Sequence, residues 1–294
     1  MKTALFIALA ICGAFFLAVW VQAIFKNRSI GASTSEKSTP SIIELLIGFA
    51  TNFFDTLGIG SFATTSAILK LKSLIADEYL PGTLNVGHCL PSIAQAFIFI
   101  AIVQVDISTL ICMILASVMG AWLGAGLVSK LPRKTIQVSL GIALLAASAL
   151  MLFTHPDLKL TPAGGLELSL HSWRLLVGVV GNFLLGALMT LGIGLFAPCM
   201  ILVSLLGMDP HAAFPIMMGS CAFLMPVGGV RFIRTGRYNL RTSLGLTLGG
   251  IPGVLIAAYL VKSLPLNAVR WLVIVVVVYT AVSMLRSASI KKTP

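Results

Sequence analysis

The chain consists mainly of long apolar runs, separated by short stretches that hold most of the charged residues. Runs of roughly 18 or more apolar residues can cross about 30 Å of hydrocarbon. They are too long and too uniformly apolar for barrel strands, and an open sheet would leave backbone groups unsatisfied in lipid. The sequence therefore predicts an all-α, polytopic membrane protein. The apolar segments are residues 1–25, 41–56, 61–72, 84–104, 106–129, 133–153, 173–190, 196–207, 210–231, 239–262 and 266–286.

Two polar stretches divide these segments into units. The first span is either a retained anchor or a cleaved signal peptide. Retention is favoured because the apolar run is too long for a signal peptide and no clean small-residue cleavage site precedes Lys26. The predicted boundaries are a first span at 1–25, a polar linker at 26–40, a first unit at 41–153, an extracytoplasmic loop at 154–172, a second unit at 173–287 and a cytoplasmic tail at 288–294.

The two units repeat one sequence pattern. Residues 56–63 (TLGIGSFA) match residues 190–197 (TLGIGLFA) at seven of eight positions. Four matches in one register indicate an internal duplication. The other three pairs, at offsets of 132–133 residues, are Gly87-His88-Cys89 with Gly219-Ser220-Cys221, Val105-Asp106 with Tyr238-Asn239, and Leu131-Pro132 with Leu264-Pro265.

Charge gives the orientation of the two copies. The chain is 58% hydrophobic and only 10% charged, so lipid covers most of its surface. Its net charge of +11 comes from basic residues in short loops and does not indicate a nucleic-acid partner. Basic residues cluster at 130–134, at 231–241 and in the C-terminal tail, which predicts that these segments are cytoplasmic. Corresponding loops of the two copies then fall on opposite faces. The sequence thus predicts inverted repeats in a cell (inner) membrane, as in many secondary transporters.

For the two copies to be inverted, each must cross the membrane an odd number of times. A helix that breaks inside the membrane and returns to the same side keeps this number odd. Residues 41–72 would form a straight helix of about 48 Å, too long for one span. A break at Gly58-Ile59-Gly60 would give a hairpin with its tip inside the membrane, since glycine permits the reversal. Gly192-Ile193-Gly194 would do the same from the other face. We expect the two tips to meet near the midplane in one pocket.

The second half-helix of each hairpin would direct free N–H groups and a positive dipole end at this pocket, which attracts an anion. Pro198 suits such a helix start because its missing N–H costs nothing there. Alternatively, the glycines are close-packing positions and the polar residues only join helices. The candidate substrate-binding residues are Gly58, Gly60, Ser61, Thr64, Thr65, Asn85, His88, Cys89, Gly192, Gly194, Pro198, Cys199, Ser220 and Cys221.

Asp55 is an acid within an apolar run, one turn before Gly58. A carboxylate at such depth is a candidate for carrying a coupling proton or for pairing with a cation. Its counterpart in the second copy is Met189, so the acid is not part of the shared scaffold. His88 lies within a span and could bind an anion or carry a proton, or could simply bond to a neighbouring carbonyl.

The sequence lacks the motifs of several common activities. There is no Walker loop, HExxH pair, GxSxG elbow or nucleotide-binding fingerprint, which argues against an enzyme, ATP-driven transport or a cofactor. The five cysteines lie in apolar segments without CxxC or Cys/His spacing, so neither a metal site nor a disulfide framework is expected.

At these residues the chain resembles the TauE/SafE family, also called the toluene-sulfonate uptake permeases. The resemblance lies in the glycine-rich segments 58–60 and 192–194, the helix starts around Gly87 and Gly219, and the Leu-Pro turns, and it covers about residues 41–287. It implies transport of sulfite, sulfonates, thiosulfate or related small organic anions, often as export coupled to an ion gradient.

Together these observations predict a secondary transporter of a small anion that works by alternating access. Sulfite, organosulfonates and related sulfur oxyanions are the favoured substrates, with a coupling proton or cation as a second partner. A carboxylate carrier of the lactate type is one alternative. A membrane scaffold or enzyme subunit that transports nothing is the other.

Overall fold

The computed structural model describes residues 2–29, 39–57, 60–76, 79–128, 156–158, 165–189 and 194–262, with isolated helical positions between 134 and 152 and between 271 and 289. The helices are α1 (Lys2–Ser29), α2 (Ile42–Thr56), α3 (Ser61–Leu71), α4 (Leu80–Gly87), α5 (Cys89–Ile102), α6 (Ile107–Val128), α7 (Ser172–Met189), α8 (Phe196–Leu205), α9 (Ala213–Thr235) and α10 (Leu240–Lys262). No β-strand occurs among these residues, and α1, α7, α9 and α10 are each long and apolar enough to cross a membrane. The predicted all-α polytopic class is confirmed.

The first copy begins with a helical hairpin, in which residues 57–60 separate α2 from α3. Asn52 on α2 and Thr65 on α3 both bond to the ring of His88. Asn52 Oδ1 lies 3.0 Å from Nδ1, and Thr65 Oγ1 lies 3.0 Å from Nε2. A straight helix would hold residues this far apart in sequence at a separation of about 20 Å. The chain therefore turns back between α2 and α3.

α7 and α8 form the equivalent hairpin in the second copy. A Cβ added to Gly181 on α7 would meet the side chain of Leu202 on α8 at 2.6 Å. In a straight helix these two positions would be about 30 Å apart, so the chain again reverses. Gly58 and Gly192, which the sequence places at the two tips, lie outside the described residues.

The two copies exchange helices. α10 of the second copy packs along α2 of the first, and α6 of the first packs along α7 of the second. A Cβ at Gly253 would meet the carbonyl oxygen of Phe49 at 2.4 Å, and a Cβ at Gly120 would meet that of Phe183 at 1.8 Å. These are equivalent positions in the two copies. Glycine is needed at both because the backbones touch, as often happens where helices pack in lipid.

Equivalent helices of the two copies run antiparallel. α4 and α5 of the first copy correspond to α9 of the second. Phe99 near the end of α5 stacks on Phe214 near the start of α9, with ring centroids 5.2 Å apart. At the other end, a Cβ on Gly82 of α4 would meet the carbonyl oxygen of Arg237, just beyond α9, at 1.9 Å. The copies are therefore inverted, as the charge pattern predicted.

Pro91 interrupts the helix that follows the first hairpin, and the interruption falls at His88, between α4 and α5. Because Pro91 has no N–H, the carbonyl oxygen of Gly87 has no helical donor. Thr247 on α10 donates its hydroxyl to this oxygen at 2.8 Å. A side chain of the second copy thus satisfies a backbone group that the break leaves free in the first.

The turns that the sequence aligned in the two copies form matching helix caps. Asp106 Oδ2 accepts the backbone N–H of Thr109 at the start of α6, and Asn239 Oδ1 accepts that of Thr242 at the start of α10, both at 2.8 Å. Hydrogen bonds from Ser108 and Thr109 hold the pKa of Asp106 below its ordinary value. The two caps share one geometry, but of the two capping side chains only Asp106 titrates.

The N-terminal helix α1 is packed into the bundle. Leu9, Phe16 and Trp20 are buried, and Phe16 lies against Gly229 of α9. α1 also contacts α5. It therefore supports α5 and α9, which belong to different copies.

The exchanged helix contacts give a paired stability prediction. Gly120→Ala and Gly253→Ala each place a methyl group against a carbonyl oxygen, so each should lower the free energy of unfolding by about 2 kcal/mol, in the range of overpacked cores. Gly13→Ala is the control, because its Cβ would meet only the end of the Ile93 side chain at 3.3 Å. Thermal unfolding of the detergent-purified proteins measures the effect. Wild-type stability of both variants would contradict the packing described.

The matching caps give a prediction about pH. Asp106→Ala and Asn239→Ala should each cost about 1 kcal/mol at neutral pH, the usual contribution of a helix cap. A carboxyl whose pKa is lowered by folding stabilises the protein above its unfolded-state pKa, and this stabilisation is lost as the pH falls through the folded-state pKa. The cost of Asp106→Ala should therefore disappear in strong acid, whereas that of Asn239→Ala should persist. Unfolding curves across this range would refute the assignment if both costs changed alike.

Candidate functional site

One pocket lies between the two hairpins and is lined by both copies. The empty space around it, including open solvent, is about 240 Å³. The starts of α3 and α8 both border it, as the sequence predicted for the two half-helices. Its lining residues are Asp55, Gly60, Ser61, Phe62, Ser92, Met189, Gly194, Leu195, Phe196, Cys221 and Met225.

Gly60 and Gly194 leave open space beside the helix starts. Gly60 has a φ of +84°, a conformation that other residues rarely adopt. A Cβ at either glycine would find no heavy atom of the described residues within 4 Å. These glycines therefore differ from Gly120 and Gly253, which are required for close packing. The open space favours a binding role for the pair over the packing alternative.

The start of α3 is capped by a carboxylate. The backbone N–H of Ser61 donates to Asp55 Oδ1, and Gln95 Nε2 donates to Asp55 Oδ2 at 3.1 Å. Gln95 Nε2 also donates to Thr56 Oγ1 at 2.9 Å. Only 2% of Asp55 is exposed, and within the described part of the chain no salt bridge reaches it. A negative group of the protein thus occupies the helix start where an external anion was expected.

The start of α8 has a different chemical environment. Met189 stands where the first copy has Asp55, and the Cys221 thiol lies 3.6 Å from its sulfur. With Met225 these residues give this part of the pocket a wall of polarisable sulfur atoms. Pro198 is buried in the first turn of α8, as the sequence suggested. The two helix starts therefore differ in their side chains, and Gly60 has a positive φ whereas Gly194 does not.

His88 lies next to the pocket rather than in its lining. Its Nδ1 faces Asn52 Oδ1, an atom that only accepts, so Nδ1 carries the proton. In the neutral ring Nε2 then accepts the hydroxyl of Thr65. The ring centroid of Phe62, which does line the pocket, is 6.0 Å from that of His88. His88 thus braces α2 against α3, and both of its nitrogens are engaged.

Two asparagines make equivalent connections between the copies. Asn182 donates to the carbonyl oxygen of Met113 at 2.7 Å and to Ser220 Oγ at 3.0 Å. Asn52 donates to the carbonyl oxygen of Leu246 at 3.5 Å and also bonds to His88. Met113 and Leu246 are equivalent in the repeat, as are Ser220 and His88. These contacts fix each hairpin to the helix exchanged from the other copy.

The other predicted residues lie around the pocket without lining it. Thr64 donates back to the carbonyl oxygens at the start of its own helix. Asn85 is buried beside Gly228 of α9, and Cys89 and Cys199 are fully buried. Of the candidates within the described residues, the pocket brings together Gly60, Ser61, Gly194 and Cys221, with Asp55 beside them.

Sequence reasoning missed several wall residues. Phe62 and Phe196 occupy the same position in the repeated segment. Because both copies have phenylalanine there, the repeat itself could have indicated them as lining residues. Ser92 and Met225 have no such signal, because they reach the pocket only through the packing of α5 and α9. Met189 was noted as the counterpart of Asp55 but was not predicted as a lining residue.

The inverted copies and the shared pocket define a class of membrane protein to which many secondary transporters belong. A model of the sulfite exporter TauE/SafE family matches residues 2–152 and 173–294. The chain therefore belongs to this family of membrane transporters for sulfur anions such as sulfite. Comparison with curated proteins and with solved structures gave no match.

The family match confirms the resemblance seen in the sequence and corrects its extent. The resemblance was placed at about residues 41–287, whereas the match begins at residue 2. α1 is therefore part of the region that the family shares. This agrees with the burial of Leu9, Phe16 and Trp20 against the rest of the bundle.

Proposed function

We propose that the protein is a secondary transporter of a small sulfur oxyanion or sulfonate, located in the cell membrane, and that the anion binds between Gly60 and Gly194. One observation carries the proposal: two hairpins of opposite orientation bring their second helix starts to a single pocket. Helix starts attract anions through free N–H groups and the positive end of the dipole. The two open glycines let an anion approach the backbone at both.

The pocket is small. In this conformation the space enclosed by its walls holds about one water molecule. Phe62 and Phe196 add bulk from both copies. Such a pocket would have to widen to bind sulfite, thiosulfate or a short sulfonate, and it is far too small for a nucleotide.

The sulfur atoms of Met189, Cys221 and Met225 favour polarisable anions. Sulfite and thiosulfate carry an exposed sulfur with a soft electron cloud, whereas sulfate presents only oxygen atoms and lactate presents oxygen atoms and a methyl group. We therefore expect the order of affinity to place thiosulfate and sulfite above sulfate and lactate. A carboxylate carrier would show the opposite preference.

The exchanged helices support alternating access. Backbone contact ties α10 to α2 and α6 to α7. The bodies that move against each other would then be α2, α3 and α10 on one side and α6, α7 and α8 on the other, rather than the two sequence repeats. Because the repeats are inverted, a shift that opens the pocket to one face has a symmetric counterpart that opens it to the other.

Substitutions at the two open glycines test the site. Gly194→Leu should abolish flux of radiolabelled sulfite into proteoliposomes, because the new side chain fills the pocket, and it should leave stability unchanged. Gly60→Leu should also abolish flux, but with a loss of about 1 kcal/mol of stability from its left-handed backbone. Gly194→Ala should give an intermediate rate.

Gly13→Ala, which alters α1 away from the pocket, is the flux control. Thermal unfolding and gel filtration verify that each variant folds. Undiminished sulfite flux in both leucine variants would exclude this pocket as the site. Uptake of lactate but not sulfite by the wild type would favour the carboxylate alternative, and uptake of neither would favour a protein that transports nothing.

A further inference from the structure

We propose that Asp55 is a built-in anion that leaves the start of α3 when it binds a proton, so that the transported anion and a proton bind together. The inference rests on the proposed function and deepens it, because it identifies the coupling ion. The pocket is asymmetric. The start of α3 holds the protein's own carboxylate, and the start of α8 has Met189 in the equivalent place.

The partners of Asp55 suit a proton better than a metal cation. Both carboxylate oxygens face hydrogen-bond donors, namely Ser61 N–H and Gln95 Nε2. An alkali cation would need several oxygen ligands around the same carboxylate. The donors would have to turn away to make room for them. A proton needs only one acceptor, and that acceptor is already adjacent.

Gln95 can serve both protonation states. In the structure its Nε2 donates to Asp55 Oδ2 and to Thr56 Oγ1, while its buried Oε1 has no hydrogen-bond partner among the described residues. An unsatisfied buried oxygen of this kind is costly. If Asp55 is protonated, rotation of the amide lets Oε1 accept the new O–H. The unpaired oxygen is thus a ready acceptor for the neutral acid.

No other described group neutralises Asp55. On its own helix, Glu44 is at the far end and pairs with Arg241 of α10 at 3.1 Å. On the α4–α5 side, His88 has both ring nitrogens bonded. From α9, the thiol of Cys221 faces the same pocket. On α3 no titratable side chain among those described faces the carboxylate, so proton uptake by Asp55 itself is the available way to remove the charge.

The consequence is a linkage between proton and anion. While Asp55 is ionised, it occupies the Ser61 N–H and repels a second anion in the same pocket. Once it is neutral, the N–H is free to bind the transported anion. Because binding linkage is reciprocal, the anion must then promote proton uptake by the same factor. Only one of the two copies carries the acid, so the expected ratio is one proton for each anion.

The test measures anion binding and proton uptake on the purified full-length protein. Thiosulfate is the probe because its charge is constant around neutral pH, whereas sulfite itself takes up a proton there. For the wild type we expect thiosulfate affinity to fall about tenfold per pH unit on the alkaline side. Calorimetry in buffers of different ionisation enthalpy should show one proton taken up per anion.

Asp55→Asn should bind thiosulfate with an affinity independent of pH and without proton uptake, because the amide imitates the neutral acid. Its flux in proteoliposomes should no longer respond to a pH gradient. Glu167→Gln, which removes an exposed carboxylate paired with Arg174, is the matched control and should behave like the wild type. If Asp55→Asn does not fold, proton uptake by the wild type still decides the question.

Several outcomes would overturn the proposal. Thiosulfate binding by the wild type without proton uptake would do so, as would an unchanged pH dependence in Asp55→Asn. An affinity that follows the sodium concentration instead of pH would show that Asp55 serves a cation. Failure of the wild type to bind thiosulfate, sulfite or any sulfonate would instead refute the proposed function itself, which is a separate result.

Discussion

A helix that ends inside a membrane leaves backbone groups without water to bond them, and the structure is organised around satisfying these groups. The carbonyl oxygen of Gly87, which Pro91 leaves free, is bonded by Thr247 of the other copy. The N–H at the start of α3 is bonded by Asp55. A binding pocket for anions arises from the same constraint, because a helix start that borders a cavity can be satisfied by a solute.

Inverted duplication supplies two such helix starts and brings them together. The exchange of α6 and α10 between the copies holds each hairpin against a helix of the other, with glycine backbones in contact at Gly120 and Gly253. Asn52 and Asn182 then bond the two hairpins to the exchanged helices, at the equivalent carbonyl oxygens of Leu246 and Met113. Divergence after duplication explains why the copies keep their backbone contacts and differ in the pocket, where one has Asp55 and the other Met189.

Much of this architecture could be predicted from the sequence, because it depends on local signals. Apolar length fixed the class, the repeated TLGIG segment indicated the hairpins, and the basic loops indicated the inversion. The exchange of helices could not be predicted, since it depends on which glycines meet a neighbouring backbone. Ser92 and Met225 were missed for the same reason. Asp55 was recognised as a candidate, but its bond to the start of α3 required the fold of the hairpin.

The shared anion site of the two hairpins is tested most directly by diffraction from crystals soaked in selenite, the selenium analogue of sulfite. Selenium replaces sulfur in an oxyanion of nearly the same shape and gives an anomalous signal that locates it without ambiguity. We predict one peak per chain, between the backbones of Gly60 and Gly194. A peak only at the membrane surface, or at one hairpin with the other turned away, would contradict it.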